Sequence, residues 1–163
     1  LLIAAEEAAA LRAGLEAAGA AILSAESYDT LRVEAGRPAA DHECTEAFTP
    51  LEAGLRSAIS DRKGCYTGQE IIARQITYDK VTRELAGLRI SASSVEPPAA
   101  PLQPGDVVHA EGKAIGAVTS AALSPRFGPL ALAILKRPWQ QPGERVHVGE
   151  TETPAEVCAL PFA

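Results

Sequence analysis

Beyond residue 82 the chain breaks into short apolar runs separated by turn residues, and this punctuation limits the folds open to it. Leu85, Leu88 and Ile90 begin the series, and further runs follow at 106–110, 114–121, 129–136, 144–149 and 154–160. Glu111 and Gly112, then 125–128, then 141–143 supply the breaks. Several short strands at this spacing predict a small antiparallel barrel or sandwich.

The residues before 82 read differently. Residues 2–18 are alanine-rich, with Leu2, Leu11 and Leu15 as large apolar anchors and Gly19 as a stop. A short helix over 27–35 ends at Gly36 and puts Tyr28, Leu31 and Ala35 on one face. Residues 37–48 have no period and read as a loop. Thr49-Pro50-Leu51-Glu52 has the spacing of a capping box with proline at N1, so a helix is expected there, cut short by Gly54. Residues 55–59 are expected to extend into a strand. A helix over 68–78 would turn Ile71, Ile72, Gln75 and Ile76 toward the core. Pro97, Pro98, Pro101 and Pro104 form a stiff connecting loop. The fold class expected is α+β, in two pieces meeting at 82/83.

Composition bounds the function. The net charge of −6 argues against nucleic-acid binding by bulk charge, although Arg62, Lys63, Arg74, Lys80 and Arg83 form a local cationic scatter. Cys44, Cys65 and Cys158 are odd in number and have no CxxC spacing, which points to a reducing cytoplasm. No apolar run approaches the roughly 20 residues that span a bilayer, and the start lacks a signal peptide's basic region. The absence of methionine is expected of a fragment or a processed piece.

Lys63-Gly64-Cys65-Tyr66-Thr67-Gly68-Gln69-Glu70 carries the most chemistry. Thr67 and Glu70 have capping-box spacing, with Tyr66 and Ile71 placed for a hydrophobic staple. Cys65 then lies just outside a helix N-terminus, beside Arg62 and Lys63, in the setting that favours a thiolate. A packed, inert cysteine is equally compatible with such a cap.

The same octapeptide resembles the signature of the folate-binding YgfZ family, relatives of the glycine cleavage T-protein, an aminomethyltransferase. Leu31-Arg32-Val33-Glu34-Ala35-Gly36 is similar to that family's L-R-x-E-x-G segment, and Pro50-Leu51-Glu52 to its P-x-E. Gly112–Ser120 resembles its G-x-x-x-G-x-V-T-S run, and Leu160-Pro161-Phe162 its close. The resemblance implies that residues 1–82 are part of an aminomethyltransferase-like α/β domain and 83–163 a T-protein-type β-barrel. It also implies tetrahydrofolate or a derivative as ligand, held in a cavity shared with a preceding segment. Cys65 and Lys63 would act, and Arg32, Glu34, Tyr66, Gly68, Gln69 and Glu70 would face the folate. Arg32 and Glu34 also fit a role in ending their helix. The function implied is support of iron–sulfur enzymes and, through them, tRNA modification. An aminomethyltransferase is the alternative; T-proteins typically lack the motif cysteine. A plain interaction module is a third reading.

Other candidates are weaker. His42 and Cys44 form an isolated H-x-C pair with no second cluster, so the default is a polar loop rather than zinc. His109 and His147 fall in expected strands and read as surface residues. Three scattered cysteines are too few to house an iron–sulfur cluster. No residue is assigned to a metal.

Overall fold

The computed structural model describes residues 3–60, 62–90 and 102–163. Leu2 and the prolines at 97, 98 and 101 lie outside that range. Among the described residues six strands form: β1 (Arg83–Ile90), β2 (Val107–Ala110), β3 (Lys113–Ser124), β4 (Gly128–Lys136), β5 (Arg145–Val148) and β6 (Thr153–Cys158). They pair antiparallel in the order β1-β4-β3-β2-β5-β6, and β6 pairs with β1 to close a barrel. Closure leaves the sheet no open edge. The mixed helix and strand content and the C-terminal barrel agree with the expected α+β class.

β4 shows how the barrel carries one core inside and a second against the helix Ala25–Glu34. Leu130 through Leu135 are all buried, a continuous run that marks a strand covered on both faces. Ala131, Ala133 and Leu135 face the barrel interior with Leu88, Val108, Val146 and Val148. Leu130 and Leu132 face outward against Val33 and Phe162. Gly116 admits the close approach of β4, since a Cβ there would lie 2.2 Å from the Ile134 carbonyl oxygen.

Among the described residues three α-helices precede the barrel: α1 (Ala8–Ala17), α2 (Ala25–Glu34) and α3 (Gln69–Thr77). Ser24 caps α2 by accepting from the Ser27 N–H at 3.1 Å. A Schellman motif ends it, with Gly36 N–H bonded to Val33 O and Arg37 N–H to Arg32 O. The buried face of α2 differs from the expected one. Tyr28 and Leu31 are 65% and 50% exposed, whereas Arg32 and Val33 are buried against β3 and β4. Periodicity located an apolar stripe, but Ser120 on β3 and Glu43 in the loop after α2 offer partners for an arginine, so the polar residue goes in.

Further expectations need correction. Helix α1 buries none of its residues, so Leu15 does not anchor it. Around Thr49 the capping bonds form, Thr49 N–H to Glu52 Oε2 at 2.9 Å and Glu52 N–H to Thr49 Oγ1 at 3.4 Å. Only turns follow, because Gly54 at φ 76° breaks the backbone before a helix propagates. Residues 55–59 hold a 3-10 turn, Arg56–Ala58, in place of the expected strand. In α3 only Ile72 of the expected core face is fully buried; Ile71 is 60% and Ile76 38% exposed. Among the described residues no helix is long and apolar enough to cross a membrane.

Candidate functional site

The motif octapeptide forms a turn leading into α3. Gly68, at φ 86°, occupies the N-cap position without any side-chain capping bond, so the Thr67–Glu70 capping box does not form. The bracing bond runs one residue earlier, from the Tyr66 N–H to Gln69 Oε1 at 3.2 Å. Gln69, the first residue of α3, thereby fixes the backbone next to Cys65. Lys63 Nζ stands 4.7 Å from the centroid of the half-buried Tyr66 ring, within cation–π range. Cys65 is free and exposed, as are Lys63, Gly68 and Glu70. Within the described residues the Cys65 thiol is accessible to a reactant.

Arg32 and Glu34 lie elsewhere, at the seam between α2 and the barrel. Arg32 Nη2 donates to Ser120 Oγ at 2.8 Å, and Nη1 faces Arg37 O at 3.3 Å and Glu43 Oε2 at 3.5 Å. Nε donates to Asp29. Glu34 Oε1 accepts from Ser124 Oγ at 2.6 Å, and its carbonyl accepts from the Phe162 N–H at 2.9 Å. Both side chains therefore join α2 to β3.

Glu43, which sequence reading left in a polar loop, is the centre of this seam. It is 0% exposed, and Oε1 accepts from Thr119 Oγ1 and Ser120 Oγ, each at 2.6 Å. Oε2 accepts from the Ala39 N–H at 3.1 Å. His42 Nδ1 lies 3.1 Å from Thr119 O. Thr119 is presented by a bulge, the register of β3 on β4 shifting between Val118 and Ser120. The available signal was the V-T-S run itself: adjacent hydroxyls in a strand need polar partners if buried.

Two further ion pairs tie the chain before and after the motif segment to the barrel. Arg83 Nε donates to Glu52 Oε1 at 2.9 Å, and its guanidinium lies 5.3 Å from the Phe48 ring centroid. Burial pushes the Glu52 carboxyl up, but the hydrogen bonds from Arg83 and from the Thr49 N–H outweigh it and hold the carboxyl below its usual range. Arg137, following β4, donates to Asp79 Oδ1 at 2.9 Å and to Glu84, fixing the end of α3.

An open cavity of about 580 Å³ lies beside the Glu43 loop, lined by Asp41, Cys44, Glu46, Phe48 and Leu55 among others. None of the residues expected to face folate lines it. A second, of about 340 Å³, is lined by Glu70, Ile71, Arg74, Gln75 and Lys80. The structure thus brings Lys63, Cys65, Tyr66 and Gln69 together in one turn and places Arg32 and Glu34 at the barrel seam.

Comparison with known proteins adds to this geometry. Residues 83–163 match the family described as the glycine cleavage T-protein C-terminal barrel domain. The chain is 39% identical over 137 residues to a protein of Arabidopsis thaliana named as a chloroplastic transferase, covering 83% of this chain and 30% of that one. It is 38% identical over 139 residues to an aminomethyltransferase of Saccharopolyspora erythraea, covering 82% of this chain and 36% of the relative. An aminomethyltransferase of Moorella thermoacetica is 37% identical over 159 residues, covering 95% and 40%. The chain thus spans well under half the length of these relatives. The crystal structure of aminomethyltransferase T from Bartonella henselae superposes with a TM-score of 0.79 at 24% identity, over 96% of this chain and 43% of that one. That likeness shows the fold.

Proposed function

We propose that the chain serves a folate-dependent one-carbon transferase of the aminomethyltransferase kind, a reading supported by the match of residues 83–163 to the glycine cleavage T-protein C-terminal barrel domain family. The observation that carries this is the run of relatives named aminomethyltransferase that match on both sides of the 82/83 boundary. Tetrahydrofolate is the substrate in this reading, bound with a preceding segment such as the longer relatives possess. Tyr66 offers an aromatic face, Lys63 a cation for folate's carboxylates, and Gly68, Gln69 and Glu70 the shape of the turn. Arg32 and Glu34 contribute by locking α2 to the barrel. The reading places the protein in a soluble compartment such as the cytoplasm.

One observation favours a second reading. Cys65 is an exposed, free thiol in a turn that resembles the YgfZ signature. In that reading the protein is an accessory factor for iron–sulfur enzymes and tRNA modification, and Cys65 with Lys63 beside it is the group that acts.

The test uses the full-length protein in its own host with Cys65→Ser as the only change, together with tetrahydrofolate titration of the purified protein. The transferase reading expects folate binding, and glycine cleavage that depends on the protein but not on the thiol. Loss of tRNA methylthiolation with glycine cleavage intact would move the assignment to the accessory reading. A full-length protein that does not bind tetrahydrofolate would overturn both.

A further inference from the structure

His109 and His147 are 38 positions apart in sequence, yet the register sets them directly opposite each other on β2 and β5. Their neighbours Val108 and Val148 form the adjacent pair, and both are 0% exposed in the barrel interior. Side chains alternate between the faces of a strand, so both imidazoles lie on the outer face. Cβ atoms of residues directly opposite on antiparallel strands are about 4.5–5.5 Å apart. Two imidazoles at that spacing converge on one ion, whose bonds to nitrogen are about 2.0–2.1 Å long.

The state of the rings agrees. Nδ1 of His109 is buried without a hydrogen-bond partner, so Nε2 is the nitrogen assigned to the ion. His147 is exposed. Pro154 opposes His147 on β6 and Ala114 opposes His109 on β3, so neither neighbouring strand places a competing charge directly opposite.

We propose that His109 and His147 form a two-imidazole site for a borderline transition-metal ion such as Zn²⁺, Ni²⁺ or Cu²⁺. Imidazole suits these ions, whereas Mg²⁺ and Ca²⁺ require oxygen ligands. Among the described residues no group of three or more His, Cys, Asp or Glu could hold a metal, so water completes the coordination and the ion exchanges readily. The location gives the site a consequence. The β2–β5 ladder has only two registered pairs, the fewest of any in the barrel, against eight between β3 and β4. An ion bridging His109 and His147 cross-links the barrel at its shortest seam, and binding only the folded state stabilises it.

The test is titration of the full chain with Ni²⁺ alone, followed by calorimetry and by the thermal midpoint. His109→Ala, His147→Ala, His42→Ala and Cys65→Ser variants are compared, each checked for folding by circular dichroism. The expectation is one equivalent bound and a raised midpoint, both lost in either β-strand variant and retained in His42→Ala and Cys65→Ser. His147→Ala, at an exposed position, keeps the test valid should His109→Ala fail to fold. Binding that survives His147→Ala, or that disappears with Cys65→Ser, would overturn the proposal. So would the absence of any Ni²⁺-dependent rise in the midpoint.

Discussion

A carboxylate at 0% exposure is costly unless its oxygens are bonded, and Glu43 meets two hydroxyls, a backbone N–H and the Arg32 guanidinium. Glu43→Ala strands Arg32, Thr119 and Ser120 with fewer partners, and a loss of about 3 kcal/mol is expected. Urea denaturation checks it; a loss below about 1 kcal/mol would show that water replaces the carboxylate. Glu52 makes a pH-dependent contribution. Its carboxyl is held below the ordinary value of 4.5 in the folded chain, so its stabilisation is whole above that value and is lost as pH falls through the lower, folded one. Glu52→Gln should therefore shrink the gap in stability between pH 6 and pH 3 (roughly, from the ordinary carboxylate range). Parallel melting curves at both values would refute it. The role of Glu43 was not legible in sequence, because an acid in a loop has the same composition whether it is solvated or buried against a strand 76 residues away, whereas the capping bond of Glu52 to Thr49 was.

At the scale of elements the strands were legible and the helix faces were not. Each apolar run beyond residue 82 became a strand, since alternation and turn residues are local properties that the barrel did not override. Glu111 and Gly112, at φ 49° and 72°, make the two-residue link between β2 and β3 expected of such a dipeptide. Helix α2 was located correctly, but its inward face was not, because the choice depended on what β3 offered. That gives a sharp comparison. Leu31→Ala should change the chain's stability by no more than about 0.5 kcal/mol, as for an exposed site. Val33→Ala, at 0% exposure, should cost on the order of 2 kcal/mol. Equal losses would mean that Leu31 is packed after all. At Thr49 the cap formed without its helix, which shows that capping bonds alone do not propagate one.

For the molecule as a whole, stability is distributed unevenly around the barrel. β4 is paired on both sides along most of its length and covered on both faces, whereas β2 and β5 share two registered pairs. Native-state hydrogen exchange should therefore show the amides of β2 and β5 opening at lower free energy than those of β4. Uniform protection around the barrel would contradict this. The chain on either side of the motif turn is tied to the barrel by Arg83–Glu52 and Arg137–Asp79, while Ile71 and Ile76 on α3 and Tyr78 just after it remain exposed. The amino-acid sequence by itself determined the strands, the turns between them and the cysteine-bearing motif, because each depends on residues within a few positions of one another. The tertiary structure alone decided the burial of Arg32 and Glu43 and the meeting of His109 with His147. Those outcomes depend on strand order and register, which bring together side chains whose separation along the chain leaves no local trace.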